Sequence, residues 1–185
     1  QLPFEAVRER IADWLEARGE TAAAGTARAC SRLSPLGASF DLPGPVGGKN
    51  LYSIHPRGTI LLRPQSRLVL FAQIAAALAT GNGIALDAPG LAHELSGLPD
   101  ALSGRIATER DGQQAGALIE GDDAQVLSSL AELAALPGPL VPVQSASAQD
   151  CRESCPYRLD WLVHEVSISI DTTAAGGNAS LMAIA

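Results

Sequence analysis

The stretch from residue 59 to residue 86 constrains the fold more than any other part of this sequence. Residues 59–62 are a short apolar run, and Ser66 stands where a helix N-cap belongs. Leu68, Phe71, Ile74, Ala75 and Leu78 then recur on one face of a helix, Gly81 takes the C-cap position, and Ile84-Ala85-Leu86 is a second apolar run. Helical periodicity between two short apolar runs predicts a β-α-β unit with parallel strands and a right-handed crossover.

The pattern repeats downstream in weaker form. Residues 91–95 read as a short helix, 105–108 and 117–119 as strands, 122–136 as a helix and 140–143 as a further strand. Val126, Leu130, Leu133 and Leu136 are expected to face inward, while Asp122 and Asp123 suit the positive end of their helix. The fold class is therefore α/β: a Rossmann-like, open, mostly parallel sheet with flanking helices. Composition agrees, because an apolar fraction of 46% with only 4% aromatic residues suits helices packed on a sheet. At 185 residues the chain is long enough to bury one real core.

Upstream, Phe4, Val7, Ile11, Trp14 and Leu15 recur at helical spacing until Gly19, and an Ala-rich helix follows over 21–33. These predict an N-terminal helical hairpin. Residues 38–42 and 51–55 read as strands on either side of a glycine-rich loop, 43–48. A phosphate cradle would need a following helix and a Lys-Ser/Thr step, but Lys49 precedes Asn50 and a strand pattern. The loop is read as a β-hairpin connection.

The last stretch changes character. Residues 145–150 are polar linker and 151–157 suggest one helical turn. From 162 to 170 the alternation is strict, with Leu162, His164, Val166, Ile168 and Ile170 on one face of a long strand expected to be half buried. His164 is read there as a packing residue. Beyond it lie Thr172, Thr173, Ala174, Ala175, Gly176, Gly177, Asn178, Ala179 and Ser180, all too small to build a core. Such a segment can lie flat on another surface and offer backbone groups to it. Leu181, Met182 and Ile184 follow as anchors, so a docked C-terminal flap and tail is expected. The expected division is 1–34 hairpin, 35–145 sheet domain and 146–185 strand and tail.

Chemistry is sparse. A net charge of −7 with 13 scattered cationic residues argues against nucleic acid, and no apolar run approaches the roughly 18 residues of a membrane span. The sequence opens on Gln1 and enters a helix almost at once, so a cytoplasmic chain that is a piece of a longer one is expected. Cys30, Cys151 and Cys155 are read as ordinary reduced thiols, and His55, His93 and His164 form no metal set. Arg63-Pro64-Gln65-Ser66-Arg67 after the first parallel strand lacks the glycines of a dinucleotide fingerprint. Gly81 and Gly83 mimic G-x-G, but they lead from helix to strand. No G-x-S-x-G elbow or H-E-x-x-H pair is present. On this reading no catalytic, cofactor-binding or metal residue is assigned within the chain.

Two stretches carry a family likeness. Pro56-Arg57-Gly58-Thr59-Ile60-Leu61-Leu62 and the run from Gln73 through Gly81-Asn82-Gly83 to Leu86 resemble the nucleotide-binding half of aldehyde dehydrogenases. Asp87 stands where active members of that superfamily have a dinucleotide-contacting lysine, and their catalytic cysteine and activating glutamate have no counterparts here. The run from Asp171 to Met182, with Tyr157-Arg158-Leu159-Asp160-Trp161 before it, resembles the C-terminal motif of the proline utilization A proteins, although Asp171 replaces an expected asparagine. The likeness extends from Phe4 over nearly the whole chain.

That resemblance implies a non-catalytic domain in the longer members of a bifunctional family. Those proteins join an FAD-dependent proline dehydrogenase to an NAD-dependent glutamate-semialdehyde dehydrogenase. The implied partner is the catalytic aldehyde dehydrogenase domain of the same polypeptide, with residues 172–180 covering the aldehyde site and closing an internal tunnel. Two alternatives stand beside it: a NAD-binding or active aldehyde dehydrogenase, and a free-standing dimerisation or small-ligand domain. In the last, the C-terminal strand would pair with its twin to give a homodimer.

Overall fold

In the computed structural model, residues 4–43, 48–108, 112–152 and 154–171 are described. The elements run α1 (Phe4–Ala17), α2 (Thr21–Leu33), β1 (Ser39–Leu42), β2 (Gly48–Pro56), β3 (Thr59–Arg63), α3 (Arg67–Ala79) and β4 (Gly83–Leu86). After a 3₁₀ segment (Pro89–Leu95) come α4 (Asp100–Ser103), β5 (Ile106–Ala107), β6 (Gln114–Ile119), α5 (Asp123–Ala134) and β7 (Val143–Ser145). Two 3₁₀ turns, Asp150–Arg152 and Leu159–Leu162, lead into β8 (Val163–Asp171).

The predicted β-α-β unit is present, and its strands lie at the heart of a five-stranded parallel sheet of order β5-β4-β3-β6-β7. Strand alternation divides the core in two. Ile60, Leu62, Ile84, Leu86 and Leu118 point towards α3 and the hairpin. Leu61, Ala85, Ala117 and Ile119 point to the other face, against Leu133 of α5. The class is as read: α/β, with a parallel sheet between helices.

Helix α3 is more deeply placed than its one-face pattern suggested. Every residue from 69 to 79 is buried, because α1 and α2 cover its outer side. Ala23, Ala24 and Ala27 of α2 lie fully buried in this core, where their small side chains permit close helix packing. Trp14 meets Phe71 edge-on at 5.7 Å and donates its indole N–H to the Gly97 carbonyl at 2.8 Å. The 3.6-residue stripe marks which face is apolar; it cannot show that a second layer covers the remainder.

Beside the parallel sheet stands an antiparallel one of order β1-β2-β8. The antiparallel β1–β2 pairing agrees with the hairpin reading of the glycine-rich loop, although β2 is longer than read, and residues 44–47 lie outside the described set. The chain passes from this sheet into β3 at Gly58, whose φ of 140° is denied to most side chains. A Cβ there would also lie 3.1 Å from that of Ala115.

Several expectations need correction. Helix α5 ends at Ala134, and only Leu133 of the four inward positions is buried; Leu130 and Leu136 are exposed and Val126 is intermediate. A single helix on that sheet face can bury only a narrow stripe. The strand expected at 140–143 is β7 at Val143–Ser145, and Leu140 is exposed. Strand β8 is mostly exposed beyond Val163, with Ile168 at 48% and Ile170 at 44%, so it is not half buried by this chain. His164 is likewise exposed, stacked at 6.0 Å on His55 across the strand pair. Finally, Cys30 and Cys155 are joined as a disulfide, with Cα atoms 5.2 Å apart across 125 residues of sequence. Only the fold could bring them together. Cys151 is the free thiol, and it is buried.

Candidate functional site

An open α/β sheet offers its ligand crevice outside the carboxyl ends of the strands, where the order of connection reverses. Here β3 sits between β4 on one side and β6 on the other, so the reversal falls between β3 and β6. Arg63 ends β3, Asp87 follows β4 and Glu120 follows β6. Arg63 and Asp87 meet there at 2.9 Å, and Glu120 turns to the chain just before α3.

Glu120 fills the position at the N-terminus of α3. Its carboxylate accepts the backbone N–H groups of Gln65 at 2.6 Å and Ser66 at 2.7 Å, and the Ser66 hydroxyl at 2.8 Å. Ser66 therefore occupies the N-cap position as read but makes no capping bond to its own helix; the Glu120 carboxylate, just past the neighbouring strand, takes the N-cap N–H and lies at the positive end of the helix. The N-terminus of α5 is closed as well, by a capping box between Asp122 and Gln125 at 2.8 and 2.9 Å. Gln65 ties the two caps together through a 3.0 Å bond from its Nε2 to the Gln125 Oε1.

Arg63 crosses the other half of the crevice. Its Nε donates to Asp87 Oδ2 at 2.9 Å, one terminal nitrogen donates to Ser129 Oγ at 3.2 Å, and both terminal nitrogens hold the Glu132 carboxylate at 2.8 and 2.9 Å. The bonds to Glu132 raise the guanidinium pKa above its ordinary value; burial opposes this and Asp87 adds to it. The Arg63 side chain is 17% exposed. A phosphate placed at this switch point would find the Gln65 and Ser66 N–H groups taken and would face the Glu120 carboxylate. The residues present do not fit a dinucleotide pyrophosphate.

Asp87, the acid at the position where the family likeness implies a cation, is partnered by Arg63. Glu120, Glu132 and Ser129 were not anticipated. An isolated acid directly after the apolar run 117–119 was the available signal for Glu120; nothing in the sequence points to the other two. Among the described residues, no cluster of three or more His, Cys, Asp and Glu is arranged to hold a metal ion, and no helix is long and apolar enough to cross a membrane.

The second candidate surface is the antiparallel sheet. Phe40 and Leu42 are 56% and 45% exposed, on the face that also carries Tyr52, with the Phe40 and Tyr52 rings 6.3 Å apart. Cross-strand register places Ile168 and Ile170 on the opposite face with Leu51. Both faces of this three-stranded sheet thus present apolar side chains to solvent. Strand β8 ends at Asp171, and the tail positions Thr172, Thr173, Ala174, Ala175, Gly176, Gly177, Asn178, Ala179 and Ser180 lie outside the described residues.

One curated relative, the bifunctional protein PutA of Rhizobium meliloti, is 49% identical over 180 residues, or 94% of this chain. The chain spans 15% of the length of that protein. Among solved structures, a Bradyrhizobium japonicum proline utilization A variant superposes with a TM-score of 0.56 at 22% identity, over 78% of this chain and 19% of its own. An NAD+ complex of a Bacillus cereus aldehyde dehydrogenase superposes with a TM-score of 0.55 at 14% identity, over 79% of this chain and 39% of its own. No protein-family model matches the sequence.

Proposed function

This chain is homologous to one segment of the bifunctional PutA proteins, and on that premise we propose that it is a non-catalytic structural and lid domain of a proline-catabolic enzyme. In this reading the parent polypeptide oxidises proline to glutamate with FAD and NAD at sites outside this chain. The domain docks on the catalytic aldehyde dehydrogenase domain of the same polypeptide and presents the tail, residues 172–180, to the semialdehyde site. A lid of this kind acts by excluding water and retaining a reactive intermediate.

The observation that carries the proposal is the antiparallel sheet, apolar on both faces, from whose edge strand the tail departs. Sheet faces of that kind are covered in a working assembly, and β8 ends where the small-residue segment begins. The occupied crevice at β3 and β6 supports a structural role over nucleotide binding by this domain. The parent is read as cytoplasmic.

The test is made on the full-length polypeptide. Removing residues 171–185 should slow semialdehyde oxidation and the overall conversion of proline to glutamate while leaving proline dehydrogenation intact. A second variant, Ile168→Lys with Ile170→Lys, alters only exposed positions of β8 and should impair the same two activities. Unchanged transfer in both proteins would sink the lid reading.

A further inference from the structure

We propose that Cys30 and Cys155 form a thiol–disulfide switch that fastens the segment leading into β8 to helix α2. The two sulfurs differ in access. Cys30 is wholly buried in the hairpin core. Cys155 is only partly buried and borders an open polar cleft with Ser145, Gln149, Asp150 and Ser154. A small thiol or disulfide in solution can therefore reach one sulfur of the pair and not the other, so exchange begins at Cys155 in both directions.

The remaining cysteine does not interfere. Cys151 lies four positions from Cys155, close enough in sequence to compete for it. Burial pushes the Cys151 thiol up to about 11, which leaves little thiolate at neutral pH. Its backbone is also tied down, since the Cys151 carbonyl accepts the Thr26 hydroxyl of α2 at 2.9 Å. Cys30 is equally buried but already stands against Cys155, with Cα atoms 5.2 Å apart, so closure to Cys30 gives the pair two states.

Oxidation is written with a low-molecular-weight disulfide as the acceptor. The Cys155 thiolate attacks one sulfur of that disulfide, a mixed disulfide forms, and one thiolate leaves and takes up a proton. Cys30, losing its proton, then attacks the Cys155 sulfur and expels the second thiol. Two protein thiols become one disulfide, and one small disulfide becomes two thiols. Excess small thiol runs the same steps backwards.

Closure changes the mechanics of the C-terminal part. The segment between Ala146 and Leu162 is held by a few buried groups, among them Tyr157, Leu159 and Leu162, and it ends where β8 starts. A covalent link between positions 125 residues apart removes much freedom from the unfolded chain, and it suppresses local opening of this segment.

The experiment equilibrates this chain with mixtures of reduced and oxidised glutathione, then quenches it with acid, unfolds it and alkylates it. The expected result is three alkylated cysteines under reducing conditions and only Cys151 alkylated under oxidising ones. Oxidation should raise the melting temperature by about 10 °C and slow amide exchange in residues 154–162 at least tenfold. Cys155→Ser should abolish both shifts, and Cys151→Ala should retain them. Three free thiols under oxidising conditions, a link through Cys151, or an equal melting shift in Cys155→Ser would each overturn the proposal.

Discussion

Glu120 grips Ser66 through both of that residue's donors, the backbone N–H at 2.7 Å and the hydroxyl at 2.8 Å. The contact joins the end of β6 to the start of α3 and puts a negative charge where a Rossmann-like sheet usually receives one from its ligand. Glu120→Ala should lower stability by about 1–2 kcal/mol, read as a shift in urea midpoint with unchanged slope. It also frees the Gln65 and Ser66 N–H groups and removes the negative charge from the start of α3. Inorganic phosphate should then raise the melting temperature of the variant and leave the parent chain unaffected.

Arg63 stands between Asp87 and Glu132 and bonds both. Replacing it with Met leaves two carboxylates without their shared partner, and a loss of about 1–3 kcal/mol is expected in chemical denaturation. Arg63→Lys should recover only part of it, because an ammonium cannot serve Asp87, Ser129 and Glu132 at once. Full recovery with lysine would show that charge alone is at work.

Asn82 has no exposed surface and uses its whole amide. Its Oδ1 accepts the Gly58 N–H, and its Nδ2 donates to Thr80 Oγ1 and to the Leu162 carbonyl, each at 2.8 Å. It therefore pins the start of β3, the end of α3 and the turn before β8 to one another. Asn82→Ala should cost about 3 kcal/mol, since buried groups lose their partners. Amide exchange should speed up around both residue 58 and residue 162, and an effect at one place only would contradict this account.

Cys151 and Tyr157 are expected to weaken the fold at alkaline pH. Burial raises the Cys151 thiol from its ordinary 9.0 to about 11, and burial raises the Tyr157 hydroxyl from 10.0. Both groups hold their protons more tightly in the folded chain than in the unfolded one. Their stabilisation is complete below about pH 9 and is lost as pH rises from 9 towards 11 and beyond. In Cys151→Ala the decline should begin about one pH unit later, because the raised groups that remain are the Tyr157 and Tyr52 hydroxyls, whose ordinary value is 10.0. Urea midpoints between pH 7 and 11 give the comparison, and identical curves would assign the loss to other groups.

Legibility differed between the parts of this molecule. The β-α-β unit, the helical hairpin and the β1–β2 pairing are legible, because each rests on local periodicity and on turn residues such as Gly19, Gly81 and the glycines of 43–48. The inward face of α5 was misread at Leu130 and Leu136, since periodicity identifies an apolar stripe and not the width of the surface that receives it. The exposure of Ile168 and Ile170 was missed for the same reason.

The sequence by itself determined that this chain makes parallel strands between helices, and that the residues after β3 lack a dinucleotide turn. These follow from chain-local rules of side-chain spacing and backbone freedom. Only the tertiary structure decided what stands in the crevice instead, and which cysteines meet. Arg63, Asp87, Glu120 and Glu132 come from four separate segments, and Cys30 finds Cys155 across most of the chain. Packing of distant elements sets such distances, and no local pattern encodes them.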